Sequence, residues 1–119
     1  MPVGKSIRVK EGVVAPTRSY SKKQEVAVAK NLGGRLTPNS GATPFIKGDV
    51  ITDDWLIECK TQTKNKDSFT IKKVWFEKNL AESLYMGKKY SAVVFNFGPG
   101  CDNYYVIDEN TFLELINKE

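Results

Sequence analysis

The sequence predicts a small α/β domain in which a mixed central β-sheet is flanked by helices. The chain has 119 residues, a length that favours a single domain spanning 1–119. Its hydrophobic content of 40% and charged content of 27% suit a globular protein with one modest core. Helical and strand-like segments follow one another in the order helix, strands, helix, strand, strand, helix, which is typical of a sheet covered by helices.

The N-terminal residues 1–19 are basic and contain scattered glycine and proline, so they are expected to form a flexible arm. The whole chain has 18 Lys and Arg against 14 Asp and Glu, a formal charge of +4. This positive charge mildly favours polyanionic binding partners. A basic domain with solvated lysines explains it equally well.

The first helix is expected to begin at Ser21. A serine N-cap followed three residues later by Gln24 is typical of a capping box. Two glycines at 33–34 are expected to end the helix. Glu25 falls on the same helical face as Leu32, seven residues later, so this carboxylate borders the apolar side of the helix.

The remaining elements are predicted from hydrophobic periodicity and from turn residues. Residues 35–46 are expected to form a loop, and a short strand at its start is compatible with the sequence. The later elements are strands at about 47–51 and 55–61, a polar loop at 61–68, a helix at about 71–86, strands at 90–98 and 104–107, and a helix at 109–118. The apolar side of the second helix is expected to contain Val74, Leu80, Leu84 and Tyr85, with Trp75 and Phe76 as added aromatics.

The strands 47–51 and 55–61 are predicted to form a hairpin that places charged side chains together. If Asp53 and Asp54 are the two turn residues, Asp49 lies directly across from Glu58, on the same face as Lys60. A different loop length would shift this register. The other predicted pairs are Thr52–Trp55, Ile51–Leu56 and Val50–Ile57.

Two carboxylates facing each other on a sheet cost about 0.2–1 kcal/mol, and more when buried. A divalent cation would offset that cost. Asp49 and Glu58, with the carbonyl of Cys59 and waters, form an oxygen donor set suited to Mg²⁺ or Mn²⁺. Lys60 would then orient a water or stabilise charge on a phosphate. An ion-pair patch on a solvated sheet face explains the same spacing about equally well, although Ile51 and Leu56 on that face favour the functional interpretation.

Composition excludes several other chemistries. The chain has no histidine, which removes Ser-His and Cys-His triads and histidine-based zinc sites. The two cysteines, Cys59 and Cys101, indicate neither a disulfide framework nor a zinc site, and they suit a reducing compartment. With no signal peptide or long apolar span in the sequence, a cytoplasmic location is expected, in the host cytoplasm if the protein is encoded by a virus.

The motifs taken in order resemble the PD-(D/E)XK nuclease superfamily. A glutamate in the first helix is followed by SGATPFIKGDV and, after a gap of eight residues, by ECK. Within the superfamily, the chain is similar to the archaeal-type Holliday junction resolvases and their viral relatives over about residues 18–98. Gly48 stands where the motif has proline, which makes this half of the motif less diagnostic.

The resemblance implies a restriction-endonuclease-like nuclease core and a Mg²⁺-dependent active site, in which Mn²⁺ can substitute. The implied catalytic residues are Glu25, Ser40, Asp49, Glu58 and Lys60, with Glu25, Asp49, Glu58 and Cys59 as metal ligands. The resemblance also implies a homodimer that cuts four-way DNA junctions symmetrically. Aromatic candidates for the dimer surface are Trp75, Phe76, Phe95, Phe97, Tyr104 and Tyr105, although core packing explains most of them equally well.

Contacts to the DNA backbone are expected from basic and polar residues of the arm and the loops. They are Lys5, Arg8, Lys10, Arg18, Gln62, Lys64, Lys66, Lys72 and Lys73. Solvated charge is the alternative for most single lysines. Three functions stay open: a junction resolvase, another nuclease of the superfamily that acts on flaps or duplex, and a non-catalytic DNA-binding module of the same fold.

Overall fold

The computed structural model describes residues 16–37 and 49–118, which form a five-stranded mixed sheet and three helices. The helices are α1 Pro16–Leu32, α2 Lys73–Tyr85 and α3 Glu109–Ile116, and the strands are β1 Arg35–Leu36, β2 Val50–Ile51, β3 Trp55–Lys60, β4 Tyr90–Phe95 and β5 Tyr104–Val106. The strand order is β1-β2-β3-β4-β5, with β3 and β4 parallel and the other neighbours antiparallel. The predicted α/β class and mixed sheet are confirmed.

The first helix begins earlier than the sequence predicts. It starts at Pro16, so Ser21 lies inside the helix and is not its N-cap. Proline is favourable in the first helical turn, because its fixed φ suits the helix and its missing N–H would have no partner there. Residues 16–19 of the predicted arm are therefore helical, and residues 1–15 lie outside the described part of the chain.

The main core lies between α1 and one face of the sheet. Val28 of α1 is fully buried, and Ala29 is nearly so. They belong to one apolar cluster with Val50, Ile57 and Val94, which come from β2, β3 and β4. The hydrophobic alternation of these strands thus positions α1, and with it Glu25, across the hairpin.

Helix α2 packs on the other face of the sheet, but with a different side than predicted. The buried residues of α2 are Asn79 and Ser83, whereas Leu84 is 68% exposed, and Val74, Leu80 and Tyr85 are exposed as well. The amide Nδ2 of Asn79 donates to the carbonyls of Leu56 at 3.3 Å and Ala92 at 3.1 Å. These hydrogen bonds to the main chain hold α2 on β3 and β4 through polar contacts that hydrophobic periodicity does not reveal.

Several aromatic residues proposed for a dimer surface pack against one another within the chain. The ring of Phe95 lies 5.4 Å from that of Phe97 and 5.6 Å from that of Tyr104, measured between centroids. Phe69 lies between Phe95, at 4.8 Å, and Trp75, at 6.1 Å. These contacts bury the ring of Phe95 within one chain, whereas Tyr104 stays 49% exposed and Tyr105 stays 42% exposed.

The turn after β4 requires glycine at position 98. Gly98 has a φ of 146°, and a Cβ built there would lie 2.6 Å from the Cα of Asn65. The neighbouring main chain is bonded to the same loop, because the N–H of Lys66 donates to the carbonyl of Phe97 at 2.8 Å. The loop after β3 and the turn after β4 thus approach too closely for a side chain.

The Gly98→Ala variant is expected to lose about 3 kcal/mol or more of unfolding free energy, because it combines backbone strain with a steric clash. Gly100→Ala is the matched control, since Gly100 also has a positive φ, of 81°, but its Cβ would meet no atom within 4 Å. That variant should lose only about 1–2 kcal/mol. Urea denaturation measures both, and equal losses would contradict the close approach at Gly98.

Candidate active site

The hairpin has the predicted register over its apolar part. Ile51 pairs with Leu56, and Val50 pairs with Ile57. The N–H of Thr52 donates to the carbonyl of Trp55 at 3.0 Å, and the Thr52 hydroxyl accepts from the N–H of Trp55, also at 3.0 Å. These bonds close the turn in the way that the sequence predicts, with residues 53 and 54 at its tip.

Asp49 leaves this ladder, so the predicted ladder pair with Glu58 does not form. Strand β2 begins at Val50, and the N–H of Asp49 donates to the carbonyl of Ile57 at 2.9 Å. The carboxylate of Asp49 accepts a hydrogen bond from the N–H of Cys59 at 2.7 Å. The side chain is thus fixed against β3 by a charge-assisted bond rather than by strand pairing.

Three carboxylates influence one another at this position. The pKa of Asp49 is raised to about 7, chiefly by burial and also by the charges of Glu58 and Glu25, against the lowering effects of the Cys59 N–H and Lys60. Burial also raises the pKa of Glu25, against the lowering effect of Lys22 and with a contribution from Glu58. The first helix and the hairpin therefore bring the predicted carboxylates together in a partly desolvated place.

Lys60 provides the positive charge beside Asp49, Glu58 and Glu25, and these four residues are called the charged cluster. Its Nζ lies 3.2 Å from Oε2 of Glu58, and both side chains are largely shielded from solvent. The same Nζ lies over the ring of Trp75, 4.5 Å from its centroid. The ion pair and the cation–π contact hold the ammonium between β3 and α2.

The thiol of Cys59 lies on the side of β3 opposite to Glu58 and Lys60. It packs against the apolar cluster under α1. Burial raises the pKa of this thiol, and the nearby charges of Asp49, Glu25 and Glu58 raise it as well. The thiol is therefore kept protonated, which leaves the main-chain carbonyl as the group that Cys59 could offer to a cation.

The donor chemistry of the cluster fits a hard divalent cation, because it offers carboxylate and carbonyl oxygens. Glu58 is bonded to Lys60, and Asp49 to a main-chain N–H, as described above. Among the residues that the structure describes, no three His, Cys, Asp or Glu side chains are arranged closely enough to hold a metal ion. The residues therefore fit Mg²⁺ in the chemical type of their donor atoms and in their charge.

The other predicted site residues have different positions. Ser40, Lys5, Arg8 and Lys10 lie outside the described residues, and Arg18 lies in the first turn of α1. Four predicted DNA contacts are exposed: Lys64, Lys66, Lys72 and Lys73. Lys73 forms an ion pair with Glu77 at 3.7 Å. Gln62 is half-buried two residues after Lys60, where it lines a cleft.

Gln24 has a role that the sequence analysis missed. It is only 5% exposed and does not cap α1. Its Oε1 accepts from the hydroxyl of Thr61 at 2.8 Å, and its Nε2 donates to the carbonyl of Lys60 at 3.0 Å. Gln24 therefore fixes α1 to the end of β3. Its position one helical turn before Val28, on the buried side of the helix, is the signal that could have revealed it.

Comparison with known proteins adds no relative. A scan against protein-family models, a search of curated proteins and a search of solved structures each found no match. None of the helices within 16–37 and 49–118 is long and apolar enough to cross a membrane. The interpretation of the cluster therefore depends on its own residues and geometry.

Proposed function

We propose that this protein is a Mg²⁺-dependent DNA endonuclease with a restriction-endonuclease-like core, and that its substrate is a four-way DNA junction cut symmetrically by a homodimer. The observation that carries the proposal is the electrostatic convergence at Asp49. Burial raises the pKa of the Asp49 carboxyl, Glu58 from β3 and Glu25 from α1 raise it as well, and Lys60 opposes them. These four residues are the ones that the nuclease motif requires.

This convergence favours a functional site over a solvated ion-pair patch. A surface patch would be weakly coupled and would leave its carboxylates fully ionised near neutral pH. Here the charged form of Asp49 is disfavoured by burial and by two like charges. Such an arrangement costs folding stability, and strongly perturbed groups of this kind are concentrated at functional sites.

Under this proposal, the carboxylates of Asp49, Glu58 and Glu25 and the carbonyl of Cys59 would hold the ion. Bound Mg²⁺ would neutralise their charge and supply electrophilic catalysis of phosphodiester hydrolysis. The ammonium of Lys60, already positioned by Glu58 and Trp75, would donate hydrogen bonds to a phosphate oxygen and stabilise the charge that develops there.

The surroundings of the cluster support a nucleic-acid substrate. Lys64 and Lys66 follow Lys60 in the loop after β3, and Lys72 lies at the start of α2. All three lysines are exposed, so they are accessible to phosphates. Contacts of this kind would bind the DNA backbone without reading its sequence, which suits recognition of a branched shape.

The test is cleavage of a synthetic four-way junction beside a matched linear duplex and a flap, each with Mg²⁺ and with EDTA. We expect paired, symmetric nicks in the junction only, and their loss in EDTA. Equal cutting of flaps or duplex would support a nuclease activity but contradict a specific junction resolvase. DNA binding without metal-dependent cutting would favour the non-catalytic binding module.

A further inference from the structure

A second concave site lies where the parallel strands β3 and β4 end. It has a volume of about 240 Å³ and lies between α1 and the turn that follows β4. We name it the amide cleft, after the side chains that characterise it: Tyr20, Lys23, Gln24, Gln62, Asn96 and Asn103. The carboxyl ends of parallel strands are a common position for ligand sites in α/β sheets.

The floor of the amide cleft is fixed by its own hydrogen bonds. Oδ1 of Asn103 accepts from Nε2 of Gln24 at 3.3 Å and from Nδ2 of Asn96 at 3.2 Å. Oδ1 of Asn96 in turn accepts from the N–H of Gly98 at 3.1 Å. Three amides from α1, the end of β4 and the following turn thus form one connected network, which gives the cleft a set shape without a ligand.

Two amides of the cleft still have hydrogen-bonding capacity. The network uses the oxygen of Asn103 but not its NH₂ group, and Gln62 forms no hydrogen bond with any residue of the described ranges. Both side chains are half-buried, so they are partly shielded from water. A ligand that combines donors and acceptors would satisfy them.

The lining also indicates the charge and shape of the ligand. No carboxylate lines the amide cleft among the residues that the structure describes, although the chain contains 14 Asp and Glu. Lys23 contributes a positive charge, and Tyr20 contributes an aromatic ring. A planar group with amide-like edges, attached to an anionic backbone, matches this combination, since bases stack on aromatic side chains and bond to amides at their edges.

We infer that the amide cleft binds one unpaired nucleobase of the DNA strand that is cut. The inference rests on the proposed function for the placement of that base. Gln24 bonds to the carbonyl of Lys60, and Gln62 lies two residues beyond it. The cleft thus borders the main chain at Lys60, whereas the ammonium of Lys60 lies on the α2 side of β3. A base in the cleft would therefore belong to a nucleotide that is separated from the phosphate at this ammonium by the end of β3. The substrate class is a four-way junction in which one nucleotide at the branch point is unpaired.

The test uses the full chain and an oligonucleotide with a single unpaired 2-aminopurine at a branch point, in EDTA so that no cutting occurs. Stacking on Tyr20 should quench the fluorescence of the probe. Tyr20→Ala should weaken the quenching titration about tenfold, and Tyr20→Phe should restore it. Tyr85→Ala is the matched control, because Tyr85 is 66% exposed at the far end of α2. Circular dichroism checks that each variant is folded.

Each outcome decides the inference. Quenching that depends on Tyr20, and that is absent when 2-aminopurine is base-paired in a duplex, supports it. Unchanged fluorescence while anisotropy reports DNA binding would overturn it, as would an absence of any binding. Metal-dependent cutting without quenching would support the proposed endonuclease and contradict base binding in the cleft. Quenching without cutting would contradict the proposed endonuclease and support base binding in the cleft.

Discussion

Replacement of Asp49 by asparagine is expected to abolish Mg²⁺-dependent cleavage and, at pH 8 without metal, to make the protein more stable. Loss of cleavage follows because an amide is a poor ligand for Mg²⁺, and we expect at least a fall of about a hundredfold. Asparagine can still accept the hydrogen bond from the N–H of Cys59, which Asp49 accepts at 2.7 Å. The hairpin should therefore keep its structure.

The gain in stability has a defined pH dependence. The pKa of Asp49 is about 7 in the folded chain, against 3.8 for an ordinary aspartate. Between these values the folded state binds the proton more tightly than the unfolded state, so the unfolding free energy of the wild type falls as the pH rises from about 4 to about 7. At about 1.4 kcal/mol per unit, the loss is about 4 kcal/mol.

Urea denaturation at pH 5 and pH 8 in EDTA measures this effect. The stability difference between Asp49→Asn and the wild type should grow over that interval. Asp53→Asn removes the same charge from an exposed position in the hairpin turn and serves as the control. Parallel pH profiles for the wild type and Asp49→Asn would show that the carboxylates do not interact as described.

Replacement of Lys60 by alanine is the second change with a large expected effect. Cleavage should fall by about 10²–10³-fold, because the ammonium that would stabilise the phosphate is lost. Binding of Mn²⁺ should persist, since the carboxylates stay in place and Glu58 is released from its ion pair at 3.2 Å. Junction cleavage and calorimetric titration with Mn²⁺ separate these two effects.

A lysine on α2 provides the matched control for this variant. Lys78 forms an ion pair with Glu82 at 4.0 Å, one helical turn apart. Lys78→Ala removes the same charge and a comparable pair, and it should leave cleavage unchanged. If Lys60→Ala cuts the junction at the wild-type rate, Lys60 has no part in the reaction and the active site has been misplaced.

The hairpin shows how far the sequence predicts the site. Its register is correct from Val50 to Ile57, because apolar alternation and a short polar turn determine the pairing there. The prediction fails one residue earlier, at Asp49. The carboxylate of this residue accepts a hydrogen bond from the N–H of Cys59, and the residue is not paired in the ladder. Local patterns describe apolar pairing well, but they do not describe a charged group that has a main-chain partner.

Two other differences arise from contacts between distant parts of the chain. Asn79 is buried because it bonds to carbonyls of two strands, and the periodicity of α2 alone cannot show those acceptors. Gln24 is buried because Thr61 and Asn103 provide its partners. Sequence reasoning proposed the charged residues of the candidate site from a motif. It missed the amides that support the site, which only the fold brings together.

The position of β3 in the sheet has a consequence for local opening. This strand is third of five in the sheet order and contains both Glu58 and Lys60. At the far edge lies β5, and α3 has no buried residue. Amide hydrogens of α3 and β5 can therefore exchange with solvent through partial opening, whereas those of Leu56 and Ile57 in β3, which pair with both β2 and β4, exchange only when most of the sheet comes apart. The strand that carries Glu58 and Lys60 of the candidate site thus belongs to the slowly exchanging part of the described residues, and fraying at the β5 edge leaves it in place.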